Sequence, residues 1–164
     1  MQSIDLIRWA LTMTGDGLSR LAGDLRPTPM VRPTSAGGNH PIWLLGHLCF
    51  IEGAVRQMIG GEANPVDRWA KLFGTGTQPA DDPGLYPSFD ELLSTFKTLR
   101  QGTLRMLDEI GDAGLGGTPK FIPPGFEDAM KTTGRALLLI ALHQMVHYGQ
   151  LADARRAAGL PPLM

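Results

Sequence analysis

The stretch Ala141-Leu-His-Gln-Met-Val-His-Tyr-Gly-Gln-Leu-Ala-Asp153 places two of the chain's four histidines, His143 and His147, four residues apart. The segment around it, from about 132 to the stop at Gly159, has the pattern of one long helix. Residues four apart share a helix face with Cβ atoms roughly 5–6 Å apart, so both imidazoles can reach one metal ion. A metal ion needs further ligands, and the rest of the chain has to supply them.

Three other segments show the apolar periodicity of amphipathic helices. In the first, apolar residues recur at heptad spacing and Thr14 is the only break. The second is expected to begin at Asn39, a good N-cap residue. In the third, the apolar stripe runs through Phe96, Leu99 and Met106. Together with the histidine-bearing segment, the predicted helices cover about 3–24, 39–60, 88–110 and 132–158.

Four helices of about 20 residues with apolar stripes predict an all-α fold, a four-helix bundle. We expect a single domain over 1–164, because no second composition, repeat or strand pattern appears. The connections of about 13, 27 and 21 residues are rich in proline and glycine and long enough to run the length of a helix. Their length leaves the topology open. Within the second connection, 66–73 is predicted to form a short helix.

Composition and charge exclude several classes of protein. Apolar residues make up 43% of the chain and charged residues 19%, as in a folded globular domain. The net charge is −1 and no Lys/Arg cluster is present, so we expect no nucleic acid partner. The longest strictly apolar run, 136–142, is short for a membrane span, and the N-terminus has no signal-peptide pattern. The one cysteine, Cys49, suits a reducing cytoplasm, where we expect the protein to reside.

His47 is the expected third ligand, because it falls in the inward register of its helix as His143 and His147 do in theirs. Bundles build metal sites from inward side chains on facing helices. A lone core histidine is more often only hydrogen-bonded, but three in core registers favour a metal site. Three neutral imidazoles leave positions open to water, as in a reactive site. Imidazole suits zinc, nickel, iron and copper, so the metal's identity stays open.

For the other polar and aromatic residues near these positions, the sequence offers alternative roles. His40 lies about 10.5 Å from His47 along the helix axis, so it is expected to be an exposed or capping residue in the first turn. Gln150 is one turn beyond His147 and is expected to hydrogen-bond a ligand histidine or a bound water, with a neighbouring backbone group as the alternative. Trp43 is a candidate neighbour of the site, with core packing as the alternative.

The spacing of His143 and His147 also matches the zinc-protease pattern His-Glu-x-x-His. Here Gln144 stands where such a protease has its general base, and a glutamine side chain cannot take that proton. No Glu-x-x-His sequence of the di-iron bundles is present either. Two carboxylates elsewhere, Glu52 and Glu127, could still be brought to the site by the fold.

Two segments together make the chain similar to a known family. Asn39-His-Pro-Ile-Trp43-Leu-Leu-Gly46-His47-Leu48 contains the pattern Trp-x-x-Gly-His-Leu. His143-Gln-Met-Val-His147-Tyr-Gly149-Gln150 contains the pattern His-x-x-x-His-x-Gly-Gln. In this order, the two patterns resemble those of the DinB/YfiT-like superfamily, and the similarity extends over essentially the whole chain.

This resemblance implies a four-helix bundle with up-down-down-up connectivity and long crossover connections. It implies a divalent metal, zinc or nickel first and iron as an alternative, on His47, His143 and His147. Characterised members include thiol-dependent S-transferases and isomerases that use low-molecular-weight thiols, and others are described as metal-dependent hydrolases. Members often form homodimers, and the family name implies no DNA binding.

The leading hypothesis is therefore a metal-dependent enzyme that transfers a thiol to a small electrophilic substrate. It is preferred because no Glu or Asp stands beside the histidines in sequence to act as a base for hydrolysis. A metal-dependent hydrolase is the alternative. A non-catalytic metal-binding bundle of the stress response is the second class.

Overall fold

Four long helices form the structure, a computed structural model that describes residues 2–161. No strand occurs within that range. The predicted all-α four-helix bundle is therefore confirmed. The helices are α1 (Ser3–Asp24), α2 (Pro41–Val55), α3 (Phe89–Gly114) and α4 (Thr133–Ala157).

Each long helix packs on two neighbours. Both α1 and α2 pack on α3 and on α4, so α1 lies diagonally across the bundle from α2, and α3 lies diagonally from α4. The first and third connections therefore cross from one corner of the bundle to the opposite corner, which explains their length. In the second connection, a 3₁₀ turn (Asp67–Trp69) leads into a short α-helix (Ala70–Phe73) that packs on α2, where a short helix was predicted.

α2 is the most buried helix, with 12 of its 15 residues buried. The span Pro41–Gly60 is long and apolar enough to cross a membrane by length and composition alone, and 67% of its most apolar window is buried inside the bundle. A helix that is apolar on all sides is found where the surrounding helices cover it. Its composition is thus accounted for by its position in the core.

The start of α2 differs from the prediction. The N-cap is His40 rather than Asn39, and its Nδ1 accepts a hydrogen bond from the Trp43 N–H at 3.2 Å. His40 is also fully buried, and its Nε2 lies 2.9 Å from the Ala80 carbonyl of the second connection. The capping role was predicted correctly, and the exposed position was wrong.

The end of α2 is a π-helical turn, Arg56–Gly60. The Met58 carbonyl in this turn accepts the N–H groups of Lys120 and Phe121, at 2.7 and 3.2 Å. These bonds attach the third connection to the end of α2. In α3, Gly111 takes a left-handed φ of 64° and kinks the helix, which continues past the predicted end to Gly114.

Candidate metal centre

Three imidazoles meet between α2 and α4. Nitrogen atoms of His47, His143 and His147 all lie within 4.8 Å of one another. The ring centroids are 5.4 Å apart for His47 and His143, 5.0 Å for His47 and His147, and 4.5 Å for the pair on α4. The structure thus brings together the three residues that the sequence singled out, although His47 is nearly a hundred residues away from the pair.

The outer ring nitrogens of two of these histidines are held by oxygen atoms. His47 Nδ1 lies 2.7 Å from the Phe73 carbonyl, and His147 Nδ1 lies 2.9 Å from Gln150 Oε1. A carbonyl or amide oxygen can only accept a hydrogen bond. Each Nδ1 therefore carries the ring proton and donates it, and each Nε2 keeps its lone pair. A hydrogen bond on the outer nitrogen is what fixes the tautomer and the orientation of a metal-binding histidine.

The Trp-x-x-Gly-His pattern docks the short helix Ala70–Phe73 onto α2. Trp43 Nε1 donates to the Leu72 carbonyl at 3.0 Å, and the Trp43 ring stacks on His47 with centroids 5.0 Å and planes 6° apart. A Cβ at Gly46 would lie 2.3 Å from the Phe73 ring, so only glycine leaves room for this packing. Trp43, Gly46 and the Phe73 ring together set the position of the Phe73 carbonyl, which orients His47.

The spacing of the two histidines on α4 fits a shared divalent cation, and a nitrogen of His47 lies within 4.8 Å of both. The Nε2 atoms of His143 and His147 are 3.0 Å apart, and two nitrogens that share one ion at 2.0–2.1 Å lie about 2.9–3.4 Å apart. His143 Nδ1 is buried without a hydrogen-bond partner among the described residues, so its ring lacks the Nδ1 contact that the other two histidines have.

The three imidazoles are held in their neutral form. Burial lowers the pKa of His47 to about 4. Burial, followed by the proximity of the other two imidazoles, lowers the pKa of His143 to about 4. Burial also lowers the pKa of His147. Near neutral pH the rings therefore offer lone pairs rather than positive charge, as metal ligation requires.

Neither of the two carboxylates considered in the sequence joins the histidines. Glu52 is fully buried, and its Oε2 accepts from Arg100 Nη2 at 2.7 Å and from Gln144 Nε2 at 2.8 Å. Glu127 is exposed, and its Oε1 accepts from the Gly125 N–H at 3.1 Å. Among the described residues, the cluster of potential ligand atoms consists of imidazoles alone.

A buried polar network beside the site was not predicted from the sequence. Thr14, Glu52, Arg100 and Gln144 come from the four different long helices and are all buried. Gln144 links them, because its Oε1 lies 3.0 Å from Thr14 Oγ1 while its Nε2 donates to Glu52. The break of the first apolar stripe at Thr14 was the one signal of this network in the sequence. Gln144 thus has a structural role in place of a catalytic one.

A cavity of about 590 Å³ opens beside the histidines. His47 and His143 form part of its lining, and the rest comes from α2 and the π-helical turn after it, α4, Thr75 of the second connection, and the part of the third connection over 123–130. Phe126, Leu142 and Val146 of this lining are exposed, so the cavity reaches the protein surface. The imidazole cluster is therefore accessible to a small molecule.

These features define a helical bundle with an open cluster of three histidines between two facing helices. The chain belongs to the DinB superfamily: the sequence model of that family matches residues 10–151. The matched region contains both sequence patterns and all three histidines, so the resemblance inferred from the sequence is confirmed. No curated protein matches the chain.

Proposed function

We propose that the protein is a metal-dependent enzyme that transfers a low-molecular-weight thiol to a small electrophile. His47, His143 and His147 would hold the cation, zinc or nickel first and iron as an alternative, since imidazole suits all three. The observation that carries this proposal is the convergence of three neutral imidazoles, two with a fixed tautomer, beside an open cavity. Lewis acidity is what a divalent cation supplies there, and it lowers the pKa of a thiol or a water molecule.

The surrounding residues keep the site ready for this chemistry. The Phe73 carbonyl and Gln150 hold the Nδ1 protons of two ligands, and burial keeps all three rings uncharged. In the transfer, the thiol loses its proton to solvent and its sulfur forms a bond to the electrophilic carbon. The leaving group takes the electron pair of the bond that breaks.

Thiol transfer is preferred to hydrolysis because, in the part of the chain that the structure describes, no carboxylate joins the three imidazoles. Glu52 is bound to Arg100 and Gln144, and Glu127 points to solvent. A thiol ionises near pH 8.5 in its unperturbed state, about seven units below water, so it has less need of a base. A metal-dependent hydrolase remains the alternative reaction, and a non-catalytic metal-binding bundle of the stress response is the second class.

Metal analysis of the purified protein tests the proposal. We expect about one divalent ion per chain in the wild type and nearly none in His47→Ala or His143→Ala, because two imidazoles bind weakly. His40→Asn is the matched control, since it removes a histidine outside the cluster and keeps an N-cap acceptor. If the wild-type protein purified at neutral pH contains no bound metal, the proposal of a metal-dependent enzyme is refuted. Metal without thiol-dependent turnover of epoxides or halogenated compounds, but with ester cleavage, would favour the hydrolase.

A homodimer is a further part of the proposal. The exposed surfaces of the neighbouring helices α1 and α4 carry large apolar side chains, among them Trp9, which is 63% exposed. Two adjacent helices with outward apolar stripes form half of a helical bundle interface, and a second copy supplies the other half. Light scattering should give the mass of a dimer for the wild type and of a monomer for Trp9→Glu. The stripes consist of Leu6, Trp9 and Met13 on α1, and Leu138, Leu142 and Met145 on α4.

A further inference from the structure

The lining of the cavity beside the histidines determines what it can bind. Its volume of about 590 Å³ falls within the range of roughly 300–1,000 Å³ typical of small-molecule sites. Of its 14 lining residues, only His47, His143 and Thr75 have polar side chains, and none has a charged one. The others are aliphatic, aromatic, methionine or proline.

The His47 imidazole lies at one end of the α2 wall of this cavity. Ile51, Ala54 and Met58 continue the face of α2 that begins at His47, at spacings of four, three and four residues. This face extends about 16 Å along the helix axis from the imidazole to Met58. A ligand along it meets the imidazoles at one end and hydrocarbon or thioether groups over the rest of its length.

The opposite wall is formed by the third connection, which is attached to the same end of α2. The Met58 carbonyl accepts backbone hydrogen bonds from Lys120 and Phe121, just before the prolines and aromatic residue that line the cavity. The wall consists of Pro123, Pro124, Phe126 and Met130. Its side chains add apolar surface and no hydrogen-bonding group.

We infer that this cavity binds an electrophilic substrate with an uncharged, apolar body, and that the reactive atom of this substrate lies at the imidazole end. An ionised group in the body of the ligand would lose its hydration without meeting a charged side chain of the lining, which disfavours its binding. A thiol that carries sugar or carboxylate groups is disfavoured for the same reason, so the cavity is assigned to the electrophile. The position of the reactive atom rests on the proposed function, whereas the apolar body rests on the lining alone.

Two dyes that differ by one anionic group test the inference. N-phenyl-1-naphthylamine is uncharged, and 8-anilinonaphthalene-1-sulfonate is the same molecule with a sulfonate. Fluorescence titrations are made on the full chain as purified and after treatment with a chelator. In the chelated protein, the uncharged dye should bind at least about tenfold more tightly, because the sulfonate finds no partner.

Two variants locate the dye. Val146 is 61% exposed and lines the cavity, so Val146→Lys adds a cation at its wall without disturbing the core. It should weaken binding of the uncharged dye, strengthen binding of the sulfonate and reduce the preference by about tenfold. Leu85→Lys is the matched control, because Leu85 is 52% exposed and lies outside both the cavity lining and the proposed dimer surface, and it should leave the preference unchanged. Equal affinity of both dyes, or a preference that responds to Leu85→Lys instead, would overturn the inference.

Metal content measured on the same samples separates this inference from the proposed function. If the purified protein contains metal but shows no preference for the uncharged dye, the inference of an apolar substrate is refuted and the proposed metal-dependent enzyme is not. The preference in a protein that binds no metal would support the apolar cavity and refute the metal enzyme.

Discussion

Arg100→Met should destabilise the protein strongly while leaving the metal site intact. The guanidinium donates to the Leu11 carbonyl at 2.6 Å and to Glu52 Oε2 at 2.7 Å, and Arg100 and Glu52 are both buried. Methionine fills a similar volume and provides neither bond. Glu52 is then left in the core with the Gln144 amide as its remaining donor.

The expected magnitude follows from the burial of the pair. Breaking a buried ion pair by removal of one partner costs about 3–5 kcal/mol, because the other charge stays without compensation. For a domain of this size, each kcal/mol lowers Tm by about 2–4 °C, so Arg100→Met should melt about 6–20 °C below the wild type. Urea unfolding of the chelated proteins, followed by circular dichroism, measures the free energy without a contribution from bound metal.

A second substitution and a control separate this cause from loss of packing. Glu52→Gln combined with Arg100→Met removes both charges, and the double variant should be at least about 1 kcal/mol more stable than the sum of the single effects predicts. Arg105→Met changes an exposed arginine of the same helix and should alter the free energy of unfolding by less than about 0.5 kcal/mol.

The result that would refute the reasoning is equally specific. An Arg100→Met protein within 1 kcal/mol of the wild type would mean that the pair contributes little. A Glu52→Gln protein that folds normally but loses metal or turnover would place this carboxylate at the histidines and reopen hydrolysis with Glu52 as the base.

Three further predictions concern the site and its surroundings. Gln150→Leu removes the acceptor of the His147 proton and should weaken metal affinity about 10- to 100-fold at unchanged stability, measured by competition with a chelator. Gly46→Ala places a Cβ against the Phe73 ring and should lower both Tm and metal content, whereas a full metal complement would contradict the docking role of this glycine. Burial lowers the pKa of His40, so the unfolded chain takes up this proton first and stability is lost as pH falls below about 6.5. The free energy of unfolding should therefore fall less between pH 7.5 and 5.5 in His40→Asn than in the wild type. An equal fall in both proteins would mean that other groups cause it.

Heptad spacing was sufficient to predict the four helices and the inward register of His47 and His147, whereas His143 is only half-buried and its neighbour Gln144 takes the core position. It failed in α3, where the predicted stripe passes through Leu99 and Met106, whereas the structure buries Arg100 and Leu107. A periodicity argument prefers leucine to arginine at an inward position. It cannot anticipate that Glu52 on the adjacent helix α2 pairs with this arginine and makes it acceptable in the core. Pairing across helices is a tertiary property that sequence spacing does not contain.

The two halves of the site differ in how much of their geometry is local. In α4, Gln150 lies three residues after His147 and orients it within one helical turn, so the pattern His-x-x-x-His-x-Gly-Gln contains both the ligands and one orienting group. In α2, the orienting group of His47 is a backbone carbonyl 26 residues away, which no side-chain pattern can reveal. The tryptophan and glycine of the α2 pattern act in its place, because they fix the short helix that carries this carbonyl. His47 therefore becomes a correctly oriented ligand only once the second connection has packed on α2, whereas the α4 pair needs only its own helix.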